Sequence, residues 1–148
     1  MDALDNKGLR RLAMWYLLKS DPETYSFGDL LRDGETSWDG VRNVQASRVL
    51  AGIRPGDGLL IYHSNTDKAV VGLAQAVGLP EPDPGDPTGK FVQVRIRVTR
   101  ALEQPVTLRD FKAEWPEFSL VRQSRLSCMA VPEEMHPWLV ARGVAFPD

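Results

Sequence analysis

Six consecutive residues, Trp38-Asp39-Gly40-Val41-Arg42-Asn43, gather an indole ring, a flexible turn, a guanidinium and an amide. Such a set suits a site for something flat and polar. The ring can stack, the amide both donates and accepts, and the cation pairs with an anion. The same residues also read as core and surface side chains that happen to adjoin. Other aromatics have polar neighbours: Trp15 and Tyr16 precede Lys19 and Ser20, and Tyr62 precedes His63 and Ser64. Aromatic faces stack on nucleobases, and nearby amides and hydroxyls read base edges. Against this, Trp and Tyr are often largely buried. At least three of Trp15, Tyr16, Tyr25, Trp38 and Tyr62 are therefore expected in the core. Strand alternation lets only one of Trp15 and Tyr16 face a ligand.

Patterns for catalysis are sparse. The chain has no G-x-S-x-G, no P-loop and no Rossmann glycine run. His63 and His136 lie far apart without metal-ligand spacing, so neither a metal nor another cofactor is expected. His63 is a candidate general base, with Ser64 or Ser127 as a possible hydroxyl. No nucleophile or orienting carboxylate is evident beside it, so a loop hydrogen bond or a place in a pocket wall is the expected role. Cys128 is the single cysteine, which excludes an internal disulfide and a multi-cysteine zinc site. It sits in an apolar alternation, which favours a buried thiol and fits a reducing cytosol.

These residues need elements to hold them. Residues 1–13 are polar and mixed, and read as a disordered or extended tail. Residues 14–148 read as a single domain, a size that suits one core. Strands are expected at MWYLLK, LLIYHS, AVVGLAQAVG, KFVQVRIRVTRAL and SRLSCMAV. Ser26 with Asp29, and Thr107 with Asp110, carry helix-start signatures, and Gly34 a helix stop. SWDG is expected to be a turn, NVQASRVLAGI a helix, and LPEPDPGDPTG a loop. PEEMHPWLVARG closes the chain as helix, with Pro132 at its first position and Pro137 kinking it or opening a second turn. Strands and short helices without regular βαβ units imply an α+β fold on a curved or barrel-like mixed sheet.

Composition narrows the partners. The formal net charge is −2, so there is no global basic field. Residues 21–39 hold six acids against Arg32, whereas 90–125 hold eight bases against four acids. A solvated strand face with scattered ion pairs is the favoured account of that basic stretch. No run is long or apolar enough to span a membrane, and no signal peptide is expected.

Five segments together carry a family resemblance: WYLLKSDP, WDGVRNVQAS, GDGLLIYHSN, AVVGLAQ and LVRQSRLSCMAV. In this order and spacing they resemble the EVE domain of the PUA-like superfamily, over roughly Met14 to Arg142. The resemblance implies a compact PUA-like mixed β-barrel with short helices packed on its outside. It also implies a non-catalytic pocket for a modified, flipped base, with a modified cytosine in DNA favoured and RNA as the alternative. A small nucleoside or amide hydrolase using His63 is the less favoured class. A cytoplasmic monomer without a membrane partner is expected.

Carried over by motif, the ligand-binding candidates begin with Lys19 and Ser20, then Trp38, Gly40, Val41, Arg42 and Asn43. Tyr62, His63 and Ser64 follow, and then Ser124, Arg125, Leu126 and Ser127. Trp38 or Tyr62 would sandwich the base, Asn43 with Ser20 or Ser64 would read its edge, and Arg42 and Arg125 would meet phosphates. Three positions depart from the family's R-N-Y-Q-A-R-N: Val44, Ser47 and Arg48. Helical spacing puts Ala46, Val49, Leu50 and Ile53 on the expected core stripe, and those three on the outward face. The loop before Phe91 is also shorter than is usual in the family, which implies a more open pocket.

Overall fold

The computed structural model describes residues 13–147, together with the backbone of 3–4 and 10–11. Strands β1 (Ala3–Leu4) and β2 (Arg10–Arg11) pair antiparallel within the expected tail. The rest of the tail before Ala13 lies outside the described residues.

The centre of the fold is a parallel pair, β3 (Trp15–Ser20) and β5 (Gly58–His63). Every residue of β5 is buried, and Leu17 and Leu18 of β3 are fully so. Strands covered on both faces read as continuous apolar runs, as these do. On one side, β5 pairs antiparallel with β6 (Ala69–Ala76), and β6 with the long β8 (Val92–Thr107). Register shifts between Val70 and Gly72, and between Leu73 and Ala74, let β8 bend along β6. β4 (Glu35–Trp38) and β7 (Glu81–Pro82) both pair with β8. On the other side, β3 pairs with β9 (Cys128–Ala130). The order β4-β8-β6-β5-β3-β9 curls into a half-barrel that does not close, because β4 and β9 end the sheet without pairing. This is the expected PUA-like α+β architecture.

Helices cover the curl. α1 (Phe27–Asp33) starts on a Ser26–Asp29 capping box and stops at Gly34, as the sequence predicts. α2 (Val44–Ala51) packs against both β8 and β9, so it covers the seam between the two ends of the sheet. α3 (Leu108–Glu114) starts on the Thr107–Asp110 capping box. α4 (Ser119–Arg122) is a single turn that no sequence signal announces. A 3₁₀ turn (Glu133–Met135) precedes α5 (His136–Val140), so Pro137 opens a second helix, and Pro132 caps the first turn from outside it. Among the described residues, no helix is long and apolar enough to cross a membrane.

Four local expectations are corrected. Ser37 and Trp38 are not in a turn but end β4, because Glu35–Trp38 finds a ladder partner in Arg97–Val94. The expected 79–89 loop contains β7. The last strand shrinks to Cys128–Ala130. On α2, Ser47 is buried while Val49 is only partly so, because the helix lies across the seam with its packed face turned toward Ser47 from the stripe that spacing predicts.

Gly72 shows how α1 is held. A Cβ placed there would lie 2.2 Å from the Phe27 ring. The glycine weakens the strand by propensity but provides the depression into which α1 docks. Gly72→Ala is therefore expected to cost about 1–3 kcal/mol through overpacking. A thermal melt should show a fall in Tm of several degrees; an unchanged Tm would mean that the ring is not held there.

Candidate functional site

The seam of the half-barrel contains a cavity of about 470 Å³. One wall comes from Lys19 and Ser20 at the end of β3, and from Ser127, just before β9. The other comes from Thr36, Ser37 and Trp38 of β4 and from the turn that follows. The Lys19 N–H donates to the Ser127 carbonyl at 2.9 Å, which holds the first wall together. Trp38 is 8% exposed, and its ring meets Tyr25 edge to face with centroids 6.4 Å apart. The indole is therefore part of the core and of the cavity wall at once. Lys19 Nζ donates to the Ser124 carbonyl at 2.9 Å, and burial holds its ammonium below the ordinary lysine value. Ser20 Oγ donates to the Tyr25 carbonyl, so towards a ligand it acts as an acceptor.

Asp83 fixes the turn at the cavity rim, and sequence reasoning missed it. It is 3% exposed. One carboxylate oxygen accepts from the Gly40 N–H at 2.8 Å and from Arg42 Nη1 at 2.9 Å. The other accepts from the Gly85 N–H at 2.8 Å. The Gly40 N–H foremost, with Arg42 and Gly85, holds this carboxyl below the usual range. Gly40 adopts φ 76°, a left-handed conformation that suits glycine. Arg42 is thus tied to an acid rather than left free for a phosphate, although its side chain remains 42% exposed. The signal for Asp83 was the Asp-Pro-Gly sequence, an Asx-turn signature.

The remaining candidates divide. Asn43 is the N-cap of α2, its Oδ1 accepting from the Ala46 N–H at 2.9 Å, so one lone pair of that oxygen is committed to the helix. Asn43, Ser124, Arg125 and Leu126 line an adjacent groove of about 280 Å³, with Gln45 and Arg122. Tyr62 is 3% exposed and lies beneath Lys19, whose Nζ is 5.9 Å from the ring centroid. It does not line the cavity, so of the two proposed sandwich rings only Trp38 is in place. His63 does not line it either. The Phe27 N–H donates to His63 Nε2 at 2.9 Å, so the ring proton sits on Nδ1, 2.7 Å from Asp67 Oδ2. A carboxylate partner does exist, contrary to expectation, but it leaves no ring nitrogen free to act as a base. Ser64 Oγ donates to the Ser20 carbonyl at 3.3 Å and braces that strand end.

The other aromatics follow the core expectation. Tyr16, Trp38 and Tyr62 are buried. Trp15 stacks on His136 with centroids 3.8 Å apart. It borders a larger cleft of about 590 Å³ that also includes Gln75, Arg97 and Phe146. Polar ends in that cleft are already engaged: Gln75 Nε2 donates to the Pro147 carbonyl, and Arg97 pairs with Glu35. The Cys128 thiol is buried, which pushes it up to about 12. Arg95 and Arg97 share Glu35 across the strands, and Arg122 pairs with Glu117, so three bases of that stretch sit in ion pairs.

A curled, unclosed mixed sheet with helices outside and a polar-aromatic cavity in its seam defines a PUA-like domain. The EVE domain profile matches residues 14–141, and the chain belongs to that family. It is 34% identical to human thymocyte nuclear protein 1 over 87 residues. That match takes in 51% of this chain but only 39% of the human protein. The crystal structure of Atu2648 from Agrobacterium tumefaciens superposes with a TM-score of 0.82 at 36% identity, covering 91% of this chain and 97% of that one. Human THYN1, solved in complex with 5-methylcytosine-containing DNA, also gives a TM-score of 0.82, at 24% identity over 91% of this chain and 100% of that one.

Asp83→Ala is expected to destabilise the fold by about 1–3 kcal/mol, because it strands buried donors. The pH dependence follows from the lowered carboxyl. Its stabilisation is complete above the ordinary aspartate value of about 3.9 and is lost as pH falls through the lower folded value. Denaturant midpoints of wild type and Asp83→Asn should therefore differ at neutral pH and converge in acid. A gap that stays constant down to the acid limit would exclude the clamp as its origin.

Proposed function

We propose that the seam cavity accepts one nucleobase extruded from DNA, a modified cytosine in the favoured case, and binds it without catalysing a reaction. The observation that carries this is the cavity itself: a buried indole in one wall and Lys19, Ser20 and Ser127 in the other, around a space of about 470 Å³. Extrusion costs a few kcal/mol of unstacking, and stacking on an aromatic ring returns about 1–3 kcal/mol. A ring held on a sheet strand loses little freedom on binding. Lys19 and Ser127 act as donors to the base edge, and Ser20 as an acceptor. The likeness to a protein solved with methylated DNA supports the same ligand class. That His63 has both ring nitrogens engaged supports a binding role over a hydrolytic one.

The adjacent groove holds the strand. Arg125 is exposed and takes part in no ion pair among the described residues, and Arg122 is 62% exposed beside Glu117. Lys19 joins groove and cavity through Ser124. Phosphates flanking the extruded base meet these arginines, which adds affinity without sequence preference.

Fluorescence polarisation with oligonucleotides carrying cytosine, 5-methylcytosine or 5-hydroxymethylcytosine tests this at low and moderate salt. Binding to none of them at low salt would sink the proposal. Trp38→Ala should abolish the preference among bases, and Trp38→Phe should preserve the fold while weakening it. Arg125→Glu should instead weaken every oligonucleotide alike and lower the salt slope by about 1 or more. An RNA arm of the same sequence shows whether the sugar matters.

A further inference from the structure

Three hollows meet where the turn after β4 enters α2. Gly40, Val41 and Arg42 border the seam cavity, and Asn43 and Gln45 border the arginine groove. On the other side of the helix, Val44, Ser47, Arg48 and Ala51 form a third hollow of about 390 Å³ with Lys90 and Phe91. The proposed base site does not use it. Its chemistry is distinctive. Val44 is 56% exposed, an unusual position for a valine at the start of a helix. Phe91 is half-buried, and its ring carries the Arg42 guanidinium 5.4 Å from its centroid. Arg48 and Lys90 are exposed, and neither forms an ion pair among the described residues. No carboxylate lines the hollow. Asp86, in the loop that leads to Phe91, is occupied by the Thr88 hydroxyl and by the Thr88 and Phe91 N–H groups.

An aromatic and apolar floor rimmed by two free cations fits a ligand with a flat face and a negative charge. Arg42 borders the seam cavity and covers Phe91, so one side chain separates the two hollows. We propose that this third hollow seats the nucleotide next to the extruded base in the same strand. Its base lies against Phe91 and Val44, and its phosphate meets Arg48 and Lys90. The strand then straddles the first turn of α2, with phosphates on the arginine groove to one side and a stacked neighbour on the other. This inference rests on the reading of the seam cavity as a base site. It gives that site a preference for its flanking nucleotide.

The test uses duplex oligonucleotides with a central 5-methylcytosine and an abasic residue as its 5′ or its 3′ neighbour. The wild-type protein should lose about five-fold or more in affinity for one of the two, the stacking contribution of one base. Val44→Glu places an acid on the rim of the hollow. At the first position of α2 an acid favours the helix dipole, so the fold should survive. This variant should bind intact oligonucleotides about ten-fold more weakly and show no further loss with that abasic neighbour. Its ratio of affinities for 5-methylcytosine and cytosine should remain that of wild type. Equal binding to both abasic oligonucleotides, or wild-type affinity in Val44→Glu, would overturn the proposal and leave the hollow to a protein partner. A wild-type protein that ignores the modification yet still loses affinity at one abasic neighbour would overturn the modified-cytosine reading of the seam and still support the hollow.

Discussion

The sheet fails to close, and the rest of the molecule is arranged around that gap. Strands β4 and β9 end the order without meeting, which leaves two edges and an opening between them. Unpaired edges invite pairing with other chains unless they are covered or kept short. Here β9 is three residues and β4 is four, and α2 lies over the seam against both β8 and β9. The part that α2 does not cover is the cavity. Side chains from both ends of the sheet therefore face one another across a space that needs no separate domain to enclose it.

Two fixtures keep that space from collapsing. At one rim, Asp83 gathers two backbone N–H groups and the Arg42 guanidinium, which ties the turn after β4 to the β7 loop. At the other, Ser64 and Lys19 tie the end of β3 to its neighbours through carbonyls of Ser20 and Ser124. Farther back, His63 receives the first N–H of α1 while Phe27 of the same helix fills the depression over Gly72. Several residues that look like ligand contacts in the sequence are thus supports for those that are.

The sequence was most legible where local chemistry decides the outcome. Capping pairs at Ser26–Asp29 and Thr107–Asp110 act within one helical turn, and both form as expected. The buried runs of β3 and β5 were equally clear, since a strand covered on both faces has little choice of composition. Where the outcome depends on distant partners, the sequence was weaker. β4 reads as a turn until β8 is present to pair with it. Ser47 reads as outward until the helix is set across the seam. Tyr62, His63 and Ser64 lie one after another in a family motif, yet the strand carries them beneath and behind the cavity. Asp83 was hidden among prolines and other acids because its importance comes from what it reaches, 43 residues back.

The pairing of Arg95 and Arg97 with Glu35 affects how partners arrive. These cations point along the outer face of β8 and share one carboxylate across the ladder. With one of the two positive charges on that face offset and a formal chain charge of −2, the domain projects no strong long-range attraction toward a polyanion. Encounter is then governed by ordinary diffusion and orientation, on the order of 10⁵–10⁷ M⁻¹s⁻¹ rather than the steered limit. Discrimination is left to residence time, which the shape of the seam controls.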